Sequence, residues 1–89
     1  MESVKNKHVL IVGATGGIGS RVAKLLAGSG AHLFLAGRSS EKLAALAQEI
    51  NLPTSKTLAL DISKPAEIAV LKEQFFAQYP TIDVLVNAA

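Results

Sequence analysis

The segment Val9-Leu10-Ile11-Val12-Gly13-Ala14-Thr15-Gly16-Gly17-Ile18-Gly19 decides how this chain of 89 residues folds. It opens with an apolar run rich in β-branched side chains, which is typical of a strand buried on both faces of a parallel sheet. From Gly17 the apolar residues recur with helical spacing, and Gly28 and Gly30 end the pattern. The segment therefore predicts a strand at Val9–Val12, a glycine-rich turn and a helix. The predicted buried face of this helix comprises Ile18, Val22, Leu25, Leu26 and Ser29.

The rest of the chain alternates between strand and helix patterns. Predicted strands lie at Ala31–Ala36, Thr57–Leu60 and Ile82–Val86. Ser39 or Ser40 can cap the second helix, and Ser63 can cap the third. The apolar faces are Leu43, Leu46, Ala47 and Ile50 in the second helix, and Ile68, Leu71, Phe75, Phe76 and Tyr79 in the third. This alternation predicts an α/β fold with a Rossmann-like, doubly wound parallel sheet, partial in extent, with four strands in the order 3-2-1-4 and three helices.

Composition limits the classes of protein to which the chain can belong. Hydrophobic residues make up 49% and charged residues 18%, which favours a packed domain over a disordered chain. The length is about 0.6 of a 150-residue domain, so residues 1–89 are predicted to form a single, partial domain. Cysteine is absent and the two histidines are isolated, which argues against a metal site.

The charge pattern and the N-terminus bear on partners and location. The net charge is +2 without a basic run, so nucleic-acid binding is not expected. Apolar runs of about four residues are far too short for a membrane span, which needs about 20. The start of the chain lacks the apolar stretch of a secretory signal. We therefore expect no membrane partner and a cytoplasmic protein.

The glycines between the first strand and the first helix suit phosphate binding. A tight turn after a strand needs positive φ, and a pyrophosphate needs bare backbone N–H groups at a helix N-terminus. The G-x-G-x-x-G fingerprint is absent, because Val22 takes the place of its last glycine. Gly13, Gly17 and Gly19 instead fit G-x-x-x-G-x-G, and Gly13, Gly16 and Gly19 fit G-x-x-G-x-x-G. The alternative is a glycine turn that binds no ligand.

The motifs of the chain resemble those of the short-chain dehydrogenase/reductase family. The G-x-x-x-G-x-G spacing is that of the family, and Gly37-Arg38, Asp61-Ile62-Ser63 and Asp83 to Ala89 match later family motifs in order. Two positions depart from the family pattern: Val12 stands where Thr is frequent, and Ala88 replaces the second Asn of an Asn-Asn-Ala-Gly run. The resemblance implies the N-terminal, cofactor-binding part of a nicotinamide-dependent oxidoreductase.

The resemblance also implies roles for individual residues. Gly13, Gly17 and Gly19 would hold the pyrophosphate, Asp61 with Ile62 would meet the adenine, and Asn87 would lie at the central crevice. Further candidate cofactor-binding residues are their neighbours in these motifs, Thr15, Gly16, Ile18, Ser39, Ala88 and Ala89.

Arg38 decides the predicted choice of dinucleotide. It follows the second predicted strand, where dinucleotide-binding folds meet the adenosine ribose. A guanidinium can bind a 2′-phosphate through two nitrogens, whereas a carboxylate there would repel it. A cation near a helix start is unfavourable without an anionic partner. We therefore predict NADP(H) as the cofactor, with NAD(H) the less favoured alternative.

No catalytic residue is predicted within the chain. The resemblance implies a Tyr-x-x-x-Lys pair with an upstream Ser, but Asp83 follows the single tyrosine, Tyr79, at the lysine position. We therefore expect a catalytically incomplete part of an enzyme. The alternatives are a stand-alone nucleotide-binding or sensing module and a structural piece whose glycines serve the turn alone. The apolar fourth strand would form an open edge, which predicts a homo-oligomer or a fragment of a longer chain.

Overall fold

The computed structural model describes residues 2–89 of the chain. Its strands are β1 (His8–Val12), β2 (His32–Gly37), β3 (Thr57–Ala59) and β4 (Val84–Asn87), and its α-helices are α1 (Gly17–Gly28), α2 (Ser40–Glu49) and α3 (Pro65–Gln78). Short 3-10 turns occupy Glu2–Val4 and Thr54–Lys56. The sheet is parallel with the order β3-β2-β1-β4, which confirms the predicted topology.

The sheet separates two hydrophobic clusters. Val9 and Ile11 of β1 pack with buried residues of α1 and α2 on one face. Leu10 and Val12 point to the other face, where they meet Leu71 and Phe75 of α3. Since successive side chains of a strand alternate between faces, the continuous apolar run of β1 supplies both clusters. One face of the sheet is thus covered by two helices and the other by one.

The buried face of α1 agrees only in part with the predicted one: Leu26 is buried as predicted, and Val22 packs partly buried against the core. Ile18 and Leu25 are 75% and 60% exposed, whereas Gly19, Ala23 and Leu26 are buried. A Cβ at Gly19 would run into the carbonyl oxygen of Gly13, so α1 lies directly against the turn that precedes it. Position 19 is a glycine because this contact leaves no room for a side chain.

The start of α3 also differs from the prediction, because Ser63 is not its cap. The N-cap is Lys64, which makes no side-chain capping bond. The hydroxyl and the backbone N–H of Ser63 both donate to Asp61 Oδ1, at 2.7 and 3.0 Å. Ser63 is therefore engaged by the preceding carboxylate. In α2, by contrast, Ser39 is the cap, and its Oγ accepts from the N–H of Lys42 at 3.2 Å.

Tyr79 closes the end of α3 against the sheet. It is the C-cap residue rather than part of the helix, and it is only 6% exposed. Its hydroxyl donates to the carbonyl oxygen of Leu33 at 2.9 Å, and its ring stacks on His8 with centroids 4.9 Å apart. The predicted packing role of Tyr79 is confirmed. Two other predicted members of the α3 face, Ile68 and Phe76, are 38% and 47% exposed.

The last strand begins two residues later than predicted and extends to Asn87. β4 pairs with β1 on one side only, with Val9 opposite Val84 and Val12 opposite Asn87. Immediately before β4, Asp83 and His8 form a two-way bond: the N–H of His8 donates to Asp83 Oδ2 at 2.8 Å, and the N–H of Asp83 donates to the carbonyl oxygen of His8 at 2.9 Å. No helix within residues 2–89 is long and apolar enough to cross a membrane.

Candidate functional site

A cleft of about 470 Å³ lies at the carboxyl ends of the strands. In a doubly wound sheet, ligands bind at this edge, where the strand order reverses on either side of the first strand. Here the reversal falls between β1 and β4. The cleft is lined by Gly13, Thr15, Gly16, Gly37, Arg38, Leu60, Ile62, Ala88 and Ala89.

Gly13 and Gly19 are required by the fold itself. Gly13 has φ of +77°, and a Cβ there would lie 2.6 Å from the backbone nitrogen of Ala89 and 2.7 Å from the carbonyl carbon of Ala88. The N–H groups of Gly13 and Ala14 both donate to the carbonyl oxygen of Ala36, which fixes the turn. Gly19 must be bare because α1 lies on the Gly13 carbonyl. Neither glycine needs a ligand to explain it.

Gly17 is different, because nothing in the fold requires a glycine there. A Cβ at Gly17 would meet no atom within 4 Å, and its backbone is outside the left-handed region. A Cβ at Gly16 would make only an ordinary contact, 3.5 Å from the Gly13 carbonyl oxygen. The two residues therefore leave a bare stretch of backbone at the start of α1.

The first turn of α1 can accept an anion. The N-cap residue Gly16 offers no side-chain acceptor, and the first turn contains no acidic residue. The opening N–H groups of a helix have no partner within the helix, and they lie at the positive end of its dipole. Gly17 and Ile18 belong to this turn, with the Ile18 side chain directed into solvent. The donors and the space suit the pyrophosphate of a dinucleotide.

Arg38 forms part of the cleft wall and already has an anionic neighbour. Its side chain is 79% exposed, and its Nη2 lies 3.4 Å from Asp61 Oδ1. The sequence had suggested that a cation near the start of α2 needs an external anion. Asp61 already supplies an anionic partner within the chain. Because the guanidinium is exposed and makes one long contact, it can still reach a phosphate in the cleft.

Asp61 is held as a carboxylate. Its pKa lies below the usual 3.8, first because the Ser63 hydroxyl donates to it, then because the Ser63 N–H does, and also because of the positive charge of Arg38. These bonds favour the charged form. The stability that Asp61 contributes is present above its unfolded-state pKa and is lost as the pH falls through its lower folded-state pKa.

The remaining predicted residues fall into two groups. Thr15, Ile62, Ala88 and Ala89 line the cleft. Ser39 and Asn87 lie beside it with their side chains already engaged: Ser39 caps α2, and Asn87 Oδ1 accepts from the N–H of Ala89 at 3.2 Å. Asn87 thus braces the end of the chain over the turn.

Two cleft residues were missing from the sequence prediction. Gly37 leaves room for Thr15, whose Oγ1 would lie 3.1 Å from a Cβ at position 37. Leu60 is buried between the end of β3 and α3. Both follow the rule that ligands meet the carboxyl ends of the strands, and that rule could have identified them. Within residues 2–89, no group of three or more His, Asp or Glu side chains could hold a metal ion.

The sequence model of the short chain dehydrogenase family matches residues 7–89. The chain belongs to this family. An uncharacterized oxidoreductase of Staphylococcus saprophyticus is 36% identical over 89 residues, which cover 100% of this chain and 36% of the relative. The 3-oxoacyl-[acyl-carrier-protein] reductase of Chlamydia trachomatis is 36% identical over 87 residues, covering 94% of this chain and 35% of that protein. The chain thus spans little more than a third of these relatives.

Solved structures of short-chain dehydrogenases have the same fold. One from Salmonella enterica serovar Typhi superposes with a TM-score of 0.89 at 30% identity, over 99% of this chain and 38% of the other. The L-sorbose reductase of Gluconobacter frateurii, solved in complex with NADPH and L-sorbose, gives a TM-score of 0.87 at 27% identity, over 100% of this chain and 35% of that one.

Proposed function

We propose that the chain is the NADP(H)-binding part of a short-chain dehydrogenase and forms one partial dinucleotide-binding domain. The observation that carries this proposal is the bare first turn of α1, because the fold explains Gly13 and Gly19 but leaves Gly17 without a structural reason. A bound dinucleotide gives that reason. NADPH in the structure of the sorbose reductase adds support from a related protein.

Residues of the cleft and of its immediate surroundings each have a task in this proposal. The backbone from Gly13 to Gly19 holds the pyrophosphate, Arg38 meets the 2′-phosphate, and Asp61 with Ile62 borders the adenine. Ala88 and Ala89, braced by Asn87, form the opposite wall. The nicotinamide supplies or accepts the hydride when bound. The chain orients the cofactor, and we propose that the proton donor for the reaction comes from residues other than these.

The competing function is a stand-alone nucleotide-binding or sensing module. The open edge of β4 favours the oxidoreductase, because within residues 2–89 the strand pairs on one side only and its Leu85 is 59% exposed. We propose that this edge is covered in the working protein, which is either a homo-oligomer or longer than these residues. We also propose a cytoplasmic location, where NADP(H) is available.

Substitution of Gly17 tests cofactor binding. We expect Gly17→Val to weaken NADPH binding by at least about tenfold. The valine side chain would fill the space beside the α1 amides and so prevent a charge-assisted hydrogen bond from an amide to the pyrophosphate. Gly28→Val is the matched control, since Gly28 lies at the other end of α1 and is also surrounded by open space. Isothermal titration calorimetry measures both. Equal affinities of the unaltered protein and Gly17→Val would contradict the proposal.

Substitution of Arg38 tests the choice of dinucleotide. Arg38→Asp replaces the guanidinium by a carboxylate, so we expect a large loss of NADPH affinity and little change for NADH. Arg21→Asp, at an exposed arginine on the outer side of α1, controls for the change in net charge. Equal losses for the two cofactors would assign Arg38 no role in the choice.

A further inference from the structure

Arg38 lines two neighbouring concave surfaces. One is the cleft already described. The other is a neighbouring depression of about 440 Å³, lined by Arg38, Ala59, Leu60, Asp61 and Glu67. In the structure the guanidinium turns toward this second depression, where its Nη2 lies 3.4 Å from Asp61 Oδ1. The residue proposed to bind the 2′-phosphate is therefore already in contact with a carboxylate of the same chain.

The carboxylate in this pair is the fixed partner. Asp61 Oδ1 accepts two hydrogen bonds from Ser63, and the N–H of Asp61 donates to Glu67 Oε1 at 3.1 Å. Asp61 is thus held at both its side chain and its backbone. The Arg38 side chain is 79% exposed, and its one contact is longer than the 2.7–2.9 Å of a strong charge-assisted bond. A phosphate dianion can therefore exchange places with Asp61 as the partner of Arg38.

We propose that Asp61 is a specificity-determining residue that competes with the 2′-phosphate for Arg38 and so limits the preference for NADP(H) over NAD(H). The inference rests on the proposed function. Binding of NADP(H) must break the Arg38–Asp61 contact and bring a phosphate near the carboxylate, whereas NAD(H) does neither. The effect of Asp61 should consequently fall on one cofactor and not on the other.

Replacing Asp61 by Asn tests the competition. The amide oxygen of Asn can still accept from Ser63, but the negative charge that holds Arg38 is gone. We expect Asp61→Asn to raise the ratio of NADPH to NADH affinity by roughly two- to fivefold, which corresponds to the free energy of an exposed ion pair. This gain should shrink at high salt, because salt screens the charges. Calorimetric titration of the protein with each cofactor gives the ratio.

Glu67→Gln is the matched control. Glu67 lines the same depression and carries the same charge, but its carboxylate accepts from the N–H of Asp61, whereas the ion pair of Arg38 is with Asp61. We expect its affinity ratio to stay unchanged. If Asp61→Asn lost affinity equally for both cofactors, Asp61 would contact only the adenine. If Glu67→Gln raised the affinity ratio as much as Asp61→Asn does, the effect would come from the overall negative charge and not from the contact with Arg38. Either result overturns the proposal.

A second readout needs no cofactor. If the contact forms in solution, Arg38→Gln should raise the pKa of Asp61, measured by carbon NMR titration of its carboxyl group, because it removes a positive charge. An unchanged pKa would show that the two side chains do not interact, which also overturns the proposal. If the unaltered protein bound neither cofactor, the proposed function would fail, and this titration would separate that failure from the failure of the contact.

Discussion

The three glycines of the G-x-x-x-G-x-G motif have separate physical causes. Gly13 is needed for a positive φ and for the passage of the Ala88–Ala89 backbone, Gly19 for the close approach of α1, and Gly17 for neither. A motif read as one unit therefore contains two residues that serve folding and one that is free to serve binding. This division leads to opposite expectations for substitutions only a few residues apart.

Gly13→Ala is expected to destabilise the fold. An alanine at φ +77° carries a conformational cost of about 1–2 kcal/mol, and its Cβ would clash with the backbone of Ala88 and Ala89. We expect the free energy of unfolding to fall by at least this amount, as measured by urea denaturation. Gly17→Ala should leave it unchanged or slightly higher, because alanine is the better helix former. A stable Gly13→Ala protein would show that the turn is not as tight as described.

The sequence placed Arg38 and Asp61 at the candidate site, but it did not predict the contact between them. The position of Arg38 after β2 and of Asp61 after β3 follows from the strand order, since β2 and β3 are neighbours in the sheet. Their contact does not follow, because it depends on Ser63 turning back to Asp61 instead of capping α3. A serine hydroxyl before a helix has several local hydrogen-bond partners, so the sequence pattern alone does not decide between them.

At the scale of the elements, α1 shows where helical periodicity misleads. The prediction placed Ile18 and Leu25 on the buried face together with Leu26, yet the buried residues of α1 are Gly19, Ala23 and Leu26. A prediction from hydrophobic periodicity gives little weight to glycine and alanine, although these small residues permit the closest packing of a helix on a turn. The existence and order of the elements were predictable because each carries many consistent residues. The rotation of α1 was not, since it depends on one short contact.

Capping of α2 gives a prediction at this scale. Ser39→Ala removes the bond from the Lys42 N–H to Ser39 Oγ and should lower the free energy of unfolding by about 1 kcal/mol. Ser40→Ala is the control, because Ser40 is the first helical residue and is exposed. It should change stability little. Thermal denaturation followed by circular dichroism compares the two, and equal effects would show that the cap contributes nothing.

At the scale of the whole molecule, the face of the sheet beside β4 is incompletely covered. A groove of about 310 Å³ with apolar walls lies between α3 and the β4 edge, and Leu85 and Phe76 are exposed there. An apolar edge strand is open to pairing with another chain. The 9.3 kDa chain alone should therefore associate in solution.

Leu85→Lys tests this association. A lysine on an edge strand opposes pairing, so we expect the variant to shift toward monomer in sedimentation or size-exclusion measurements while its melting temperature stays similar. Leu25→Lys is the control, since Leu25 is 60% exposed on α1 and Leu85 is 59% exposed on β4. A monodisperse, cooperatively melting monomer of the unaltered chain would contradict the prediction.

The two-way bond between His8 and Asp83 has a consequence at the opposite end of the sheet. Strands can slide along one another, and a displacement by one residue turns every side chain to the other face. Asp83 holds the amino end of β4 by its side chain as well as its backbone. These two hydrogen bonds therefore fix the register of β4 against β1. Four residues further on, Asn87 arrives level with Val12. The Asp83 carboxylate, roughly 13 Å from Asn87 along the strand, thus determines which residues reach the wall of the cleft.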